Sequence, residues 1–235
     1  MPSPNNQNEV SINKETIVAC KYIFLISLML SLNLTAQVFT FTSNSEGQKI
    51  IHKILIDSDY LIETRYNSES NVFVSTRGGF YQKSEEGLDI HLEFNSNYAT
   101  DSLKRITLEP KGWKKSSLDK QVHYGKWLMA GRVRPEGEKR RNLNGPRKTL
   151  KFLLDGHFQW TAFNTESFKF FGSGGGTYTA KDGNYVESIV YFSRDDSKSG
   201  AVLPFVYELK GPDWYHKGLN SRGEPMHEIW TQRKN

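Results

Sequence analysis

With 235 residues and a formal charge of +5, the chain has room for one large or two small domains and can bury a core without covalent staples. Its single cysteine, Cys20, lies ahead of the expected mature chain, so hydrophobic packing and not a disulfide must hold the fold. A mildly basic balance suits an anionic partner such as a lipid headgroup, a polyanionic glycan or an acidic metabolite, serves solubility equally well, and calls for no nucleic-acid partner.

Tyr22 to Leu32 is an apolar run too short for an ordinary membrane-crossing helix, preceded by Lys14 and Lys21 and followed by Leu34, Thr35 and Ala36. It predicts a secretory signal over residues 1–36, cleaved before Gln37, and hence a secreted, periplasmic or outer-envelope location. The polar stretch ahead of Lys21 is longer than a normal signal start, which leaves two alternatives: a true start downstream of Met1, or a segment retained as a membrane anchor. Lys14 and Lys21 are balanced by Glu9 and Glu15, so cleavage leaves the net charge unchanged.

Beyond Gln37 apolar residues alternate over short spans separated by Gly, Asn, Asp and Ser clusters, and no amphipathic helix is evident. Strands are predicted at Val38 to Thr42, Ile51 to Ile56, Tyr60 to Tyr66, Val72 to Gln82, Leu88 to Asn95 and Leu103 to Glu109. Lys111 to Lys120 is polar and unpatterned, so a boundary is expected near Ser117, dividing residues 37–117 from 118–235. The second part predicts strands at Trp127 to Val133, Thr149 to Leu154, His157 to Asn164, Phe168 to Ala180, Tyr185 to Ser193, Val202 to Leu209, Trp214 to Leu219 and Met226 to Arg233. Asp155-Gly156, Lys181-Asp182-Gly183-Asn184 and Ser221-Arg222-Gly223 supply tight turns between neighbours, so an up-and-down antiparallel barrel is the economical topology.

The two parts match each other at a constant offset of 97 residues. Asn67, Glu69, Ser70, Phe73, Gly78, Gly79, Tyr81 and Ser96 recur as Asn164, Glu166, Ser167, Phe170, Gly175, Gly176, Tyr178 and Ser193, against roughly two identities expected by chance. The fold expected is therefore all-β, with two tandem antiparallel meander β-barrel units of which the second is complete and eight-stranded. A rival arrangement joins both copies in one larger sheet.

Gly125-Lys126-Trp127 opens the second unit and Arg233 closes it. In this the chain resembles the lipocalin-like, or calycin, barrels, and more specifically a family of uncharacterised bacterial membrane or secreted proteins. The resemblance implies that Gly125, Trp127 and Arg233 form a barrel plug, with the guanidinium laid over the indole face. It also implies that replacing Arg233 by alanine costs less stability than replacing Trp127. The T-D-Y triplet and flanking helix of classical lipocalins are absent.

Arg132, Arg134, Arg140, Arg141 and Arg147 fall between the first two barrel strands, where lipocalin-like folds place the loop over the cavity mouth; together with Trp160, Tyr191 and Arg194 they are the candidate ligand-binding residues. A solvated hairpin loop explains the same charges. The expected ligand is a small amphipathic or anionic molecule, with membrane or envelope association as a further expectation, and Arg140 and Arg141 are the positions whose loss should abolish binding. Asn67 to Ser70 and Asn164 to Ser167 read as turns in which asparagine bonds local backbone, and Gly172 to Gly176 as a bulge rather than a phosphate cradle. No catalytic set, metal site or cofactor is expected, because the histidines are scattered and no nucleophile motif is present. The function expected is non-catalytic ligand binding. The alternatives are a protein-interaction module with filled barrels, or a glycan-acting enzyme pairing Glu166 or Glu187 with Asp195 or Asp196.

Overall fold

A computed structural model describes residues 36–234 apart from 117 and 120. The leader and the expected boundary near Ser117 lie outside the described residues. Alternation in the sequence becomes strands β1 (Gln37–Ser45), β2 (Gln48–Ile56), β3 (Tyr60–Asn67), β4 (Phe73–Ser84), β5 (Gly87–Asn95), β6 (Arg105–Leu108) and the two-residue β7 (Lys114–Lys115). These form a seven-stranded sheet in the order β6-β5-β4-β3-β2-β1-β7. A single helical turn, α1 (Tyr98–Asp101), links β5 to β6.

The remaining strands are β8 (Gly125–Arg134), β9 (Gly137–Arg140), β10 (Arg147–Leu154), β11 (His157–Asn164), β12 (Phe170–Lys181), β13 (Asn184–Phe192), β14 (Val202–Lys210), β15 (Asp213–Leu219) and β16 (Pro225–Gln232). β10 through β16 run as an antiparallel meander, and β8 pairs with both β16 and β10, closing an eight-stranded barrel; β9 folds back on the end of β8. The all-β expectation and one closed eight-stranded barrel are thus present, but the residues ahead of β8 form an open sheet and not a second barrel, because β6 and β7 at its two edges do not pair. β7 and β9 were not expected. Both sit in charged stretches without alternation, and backbone pairing alone makes them strands.

The offset of 97 residues is also a geometric relation. The β3–β4 ladder shifts register between Arg65 and Tyr66, and the β11–β12 ladder between Ala162 and Phe163. The next ladders shift at Gly78/Gly79 and at Gly175/Gly176. A Cβ on Gly79 would strike the carbonyl oxygen of His91, and one on Gly176 that of Ser188, so the bulges require glycine at both places. Asn67 Oδ1 accepts from the amides of Glu69 and Ser70, as Asn164 Oδ1 does from Glu166 and Ser167.

The two sheets meet through the same patch on each. Phe73 stacks on its counterpart Phe170 with centroids 6.1 Å apart, while Tyr66 packs on Tyr191 at 5.3 Å and Phe94 on Phe163 at 4.8 Å, a pair of contacts exchanged by the offset. That is the pattern of a local two-fold axis. Between the rings lies a sealed polar core: Gln159 Oε1 accepts from Thr64 and from the Tyr191 hydroxyl, and Gln159 Nε2 donates to Thr76 and Thr161. Val38, Leu55, Tyr60 and Ile62 complete the interface against Leu128, Leu150, Phe152 and Leu154 of the barrel.

The plug differs from the expectation. Trp127 is buried inside the barrel against Trp214, at 5.7 Å between rings, but Arg233 does not cover it. The Arg233 amide donates to the Lys126 carbonyl, and alternation points both side chains outward when Trp127 points in. The Arg233 guanidinium makes a two-pronged ion pair with Glu93 at 2.7 and 2.8 Å, over the rings of Tyr60 and Phe80. Lys126 likewise reaches Asp57 and Asp59. Arg233 therefore clamps the barrel to the other sheet.

Trp127→Ala should lower the unfolding free energy by about 3–5 kcal/mol. Arg233→Ala leaves Glu93 uncompensated in a nearly enclosed site and should cost a comparable amount, about 3 kcal/mol. Denaturant unfolding checks both; an Arg233 loss under about 1 kcal/mol would mean the clamp behaves as a surface pair.

Candidate functional site

Alternation on the barrel strands sorts side chains into an inner column and an outer one. On β10 the inner column runs Arg147, Thr149, Lys151, Leu153 from mouth to closed end; facing it on β11 stand Ala162, Trp160 and Phe158. The closed end is filled by Trp127, Leu153, Phe158, Tyr178, Tyr185, Trp214 and Trp230. Above them a cavity of about 1140 Å³ opens to the mouth. Small-molecule sites usually span roughly 300–1000 Å³, so this one is ample for a lipid-sized molecule.

The floor carries a buried ion pair. Lys151 Nζ lies 2.7 Å from Glu187 Oε1, with side chains only 4% and 5% exposed. The Tyr185 hydroxyl donates to the same carboxylate oxygen, and the ammonium sits 4.9 to 5.4 Å from the rings of Trp230, Trp214 and Tyr185. Aromatic faces and one carboxylate together offset the desolvation of the amine. His216 faces the cavity beside the pair, and burial, reinforced by Lys151, holds it well below the usual histidine range, so its imidazole is neutral. Neither of its nitrogens has a hydrogen-bond partner, and the Trp230 indole N–H is equally unpaired.

The mouth is ringed by guanidinium groups. Arg132, Arg134, Arg141, Arg147 and Arg194 all line the cavity, with Trp160 and Phe192 forming the apolar wall below. Arg132 pairs with Glu228 at 3.2 Å. Among the described residues, no carboxylate lies within ion-pair distance of Arg134, Arg141, Arg147 or Arg194. The Arg147 guanidinium lies 3.3 Å from the centroid of the Phe171 ring, and Arg194 donates to the Phe171 carbonyl while lying over Trp160. Burial, followed by the charges of Arg141 and Arg194, lowers the Arg147 pKa from its ordinary value. Asp195, Glu224 and Glu228 also line the cavity, but none of them is within ion-pair distance of these four guanidinium groups.

Six of the eight expected binding residues therefore share the cavity: Arg132, Arg134, Arg141, Arg147, Trp160 and Arg194. Arg140 does not. It points to the outer side, bonded to Glu138, Asp213 and the Tyr215 hydroxyl, whereas Arg141, the next residue beyond β9, lines the cavity. Tyr191 is also elsewhere, fully buried between the sheets. Ile189 pairs with Gly176 and Tyr191 with Gly175, so Val190 is an extra residue that turns Tyr191 outward and Phe192 inward. Of the carboxylates weighed for catalysis, Glu187 is bound to Lys151, Glu166 sits in an exposed turn, and Asp195 caps Ser197.

Sequence reading missed Lys151 and His216. The signal was there for the lysine, a charge set between Leu150 and Phe152 in the apolar half of its strand. His216 gave none, since a buried and a surface histidine look alike in a chain. No protein-family model matches this sequence, and no curated protein matches it.

Lys151→Met alone should destabilise by about 3–5 kcal/mol by leaving Glu187 charged and unpaired, whereas Lys151→Met with Glu187→Leu should recover most of that loss. A double-mutant cycle in denaturant measures the difference.

Acid should also weaken the fold through its buried imidazoles. Desolvation lowers His123 to about 4 and His157 to about 3, with His216 held low as well. An unfolded histidine titrates near ~6.5, so below that pH the unfolded chain binds more protons and stability falls, while above it these groups are without effect. Denaturation midpoints should drop from about pH 6.5 to 4.5, with a slope roughly one proton shallower in His123→Gln.

Proposed function

We propose that the barrel is a small-molecule carrier or receptor that takes one amphipathic anion, acidic head at the mouth and apolar body inside, and performs no chemistry on it. In this reading the chain is a duplicated lipocalin-like protein acting after export, in which the second unit binds and the first supports it. One observation carries the proposal: four guanidinium groups without carboxylate partners surround the entrance of an aromatic-walled cavity. Guanidinium binds carboxylate, sulfate or phosphate through two parallel bonds, and the pooled positive charge attracts such a head from solution.

The apolar part of the ligand has Trp160, Phe192, Phe205 and Met129 to cover it. The floor is already neutral, because Lys151 and Glu187 cancel, so a second charge at the inner end would be buried without a partner. A charged head outward and a neutral body inward follows. The space itself favours a binder over an interaction module with a filled barrel, and the engaged Glu187 offers poor material for glycosidase acid-base work.

Parinaric acid and its methyl ester, titrated by fluorescence into the purified chain, test this reading. The acid should bind at least about tenfold tighter than the ester, as one charge-assisted contact warrants. The acid's affinity should fall as salt is raised and should drop about tenfold in Arg147→Gln. Equal affinity for acid and ester, indifferent to salt, would overturn it.

A further inference from the structure

A second polar constellation lies on the seven-stranded sheet, on the face turned away from the barrel. Alternation places Ser43 on β1, His52 on β2 and Glu63 on β3 on this face, along a diagonal across three neighbouring strands. Ser43 Oγ is 2.8 Å from His52 Nε2, and His52 Nδ1 is 2.8 Å from Glu63 Oε1. Glu63 is 2% exposed and His52 9%, while Ser43 remains partly open to solvent. A buried carboxylate accepts only, so the imidazole proton sits on Nδ1 and Nε2 is free to accept from serine. Nucleophile, base and orienting acid are thus joined in sequence, the arrangement that activates a serine whatever fold carries it.

The surroundings fit the same role. Arg77 Nε donates to the second oxygen of Glu63 at 2.7 Å, holding that carboxylate ionised, and its pKa is lowered by the bond from His52 and by the Arg77 charge against the opposing effect of burial. Phe41 stacks on the His52 ring at 4.2 Å, with Trp113 stacked beyond it at 6.4 Å, forming an apolar wall beside the hydroxyl. Arg65 stands opposite His52 in the strand register, and its Nε is buried without a hydrogen-bond partner. That one N–H is a donor without an acceptor, enclosed beside the imidazole's strand.

We propose that Ser43, His52 and Glu63 form a hydrolytic site for small carboxylic esters, independent of the barrel cavity. His52 Nε2 takes the Ser43 proton as Oγ bonds to the ester carbonyl carbon, and the oxygen that becomes negative is stabilised by Arg65. Collapse breaks the bond to the alcohol, which leaves with the proton from His52. Water, deprotonated by His52, then adds to the acyl-serine and releases the acid, restoring Ser43. Phe41 and Trp113 favour an acyl or leaving group with a flat apolar surface.

The test is a fluorophosphonate probe followed by peptide mapping, with p-nitrophenyl acetate hydrolysis measured alongside. Labelling should map to Ser43 and vanish in Ser43→Ala, a change at a partly exposed side chain whose folding circular dichroism can verify. The kcat/KM should fall roughly 10³-fold in Ser43→Ala and in His52→Gln. Arg147→Gln, which disables the barrel mouth, should leave labelling unchanged, so this site and the carrier reading can fail separately. No labelling of the folded chain, or labelling that persists in Ser43→Ala, overturns the proposal.

Discussion

The molecule depends on one wall of the barrel being buried on both faces. A closed antiparallel barrel ordinarily hides its inner side chains and wets its outer ones, but β10 reads Leu150, Lys151, Phe152, Leu153 and Leu154 with every one buried. Such a run can be soluble only if something covers the outside. The open sheet does so, laying Val38, Leu55, Tyr60 and Ile62 against it and anchoring its rim through Arg233–Glu93 and Lys126 with Asp57 and Asp59. In return the open sheet buries its barrel-side face, while its other face packs Ile54, Ile56, Leu61 and Ile90 into a cluster of their own.

The buried polar centre of that interface sets its register. Gln159 uses both oxygen lone pairs and its amide hydrogens on Thr64, Tyr191, Thr76 and Thr161, so a slip of one sheet over the other would leave several of these groups unpaired. Apolar contacts alone tolerate sliding. The cavity benefits, because the inward positions of β10 and β11 are fixed by what their outward neighbours touch. Lys151 faces Glu187 since Leu150 and Phe152 are held against the other sheet.

Much of this was legible in the sequence because it follows from period-two alternation and turn chemistry. The strands, the closed meander, the asparagine turns and the glycine bulges are local properties, and the arginines of the mouth were readable as a charge cluster beside a strand end. What escaped the sequence was side-chain direction wherever the period breaks. Val190 is one extra residue, and it moves Tyr191 from the cavity to the interface. Arg140 and Arg141 differ by one position and face opposite ways. Arg233 was assigned to Trp127 by analogy, but strand pairing aligns it with Lys126, and its true partner, Glu93, is 140 residues away in the chain. No local pattern reports a contact of that separation.

The same alternation explains how two copies of one ladder come to hold such different interiors. Glu63 and Arg77 face each other across β3 and β4; 97 residues on, Trp160 and Gly174 face each other across β11 and β12. In the barrel a Cβ at Gly174 would collide with the Trp160 indole, so the large ring demands an empty opposite position, and Trp160 lines the cavity. In the open sheet the equivalent pair is an ion pair, with His52 in place of Thr149 adding the next link. β14, β15 and β16 complete the barrel and exclude water, where an aromatic lining gains most. The open sheet ends in the four-residue β6 and the two-residue β7, and its buried Glu63 keeps its charge because Arg77 pairs with it and His52 bonds to it. Two ladders with one register thus end differently: long last strands close one into a container, and short ones leave the other an open sheet.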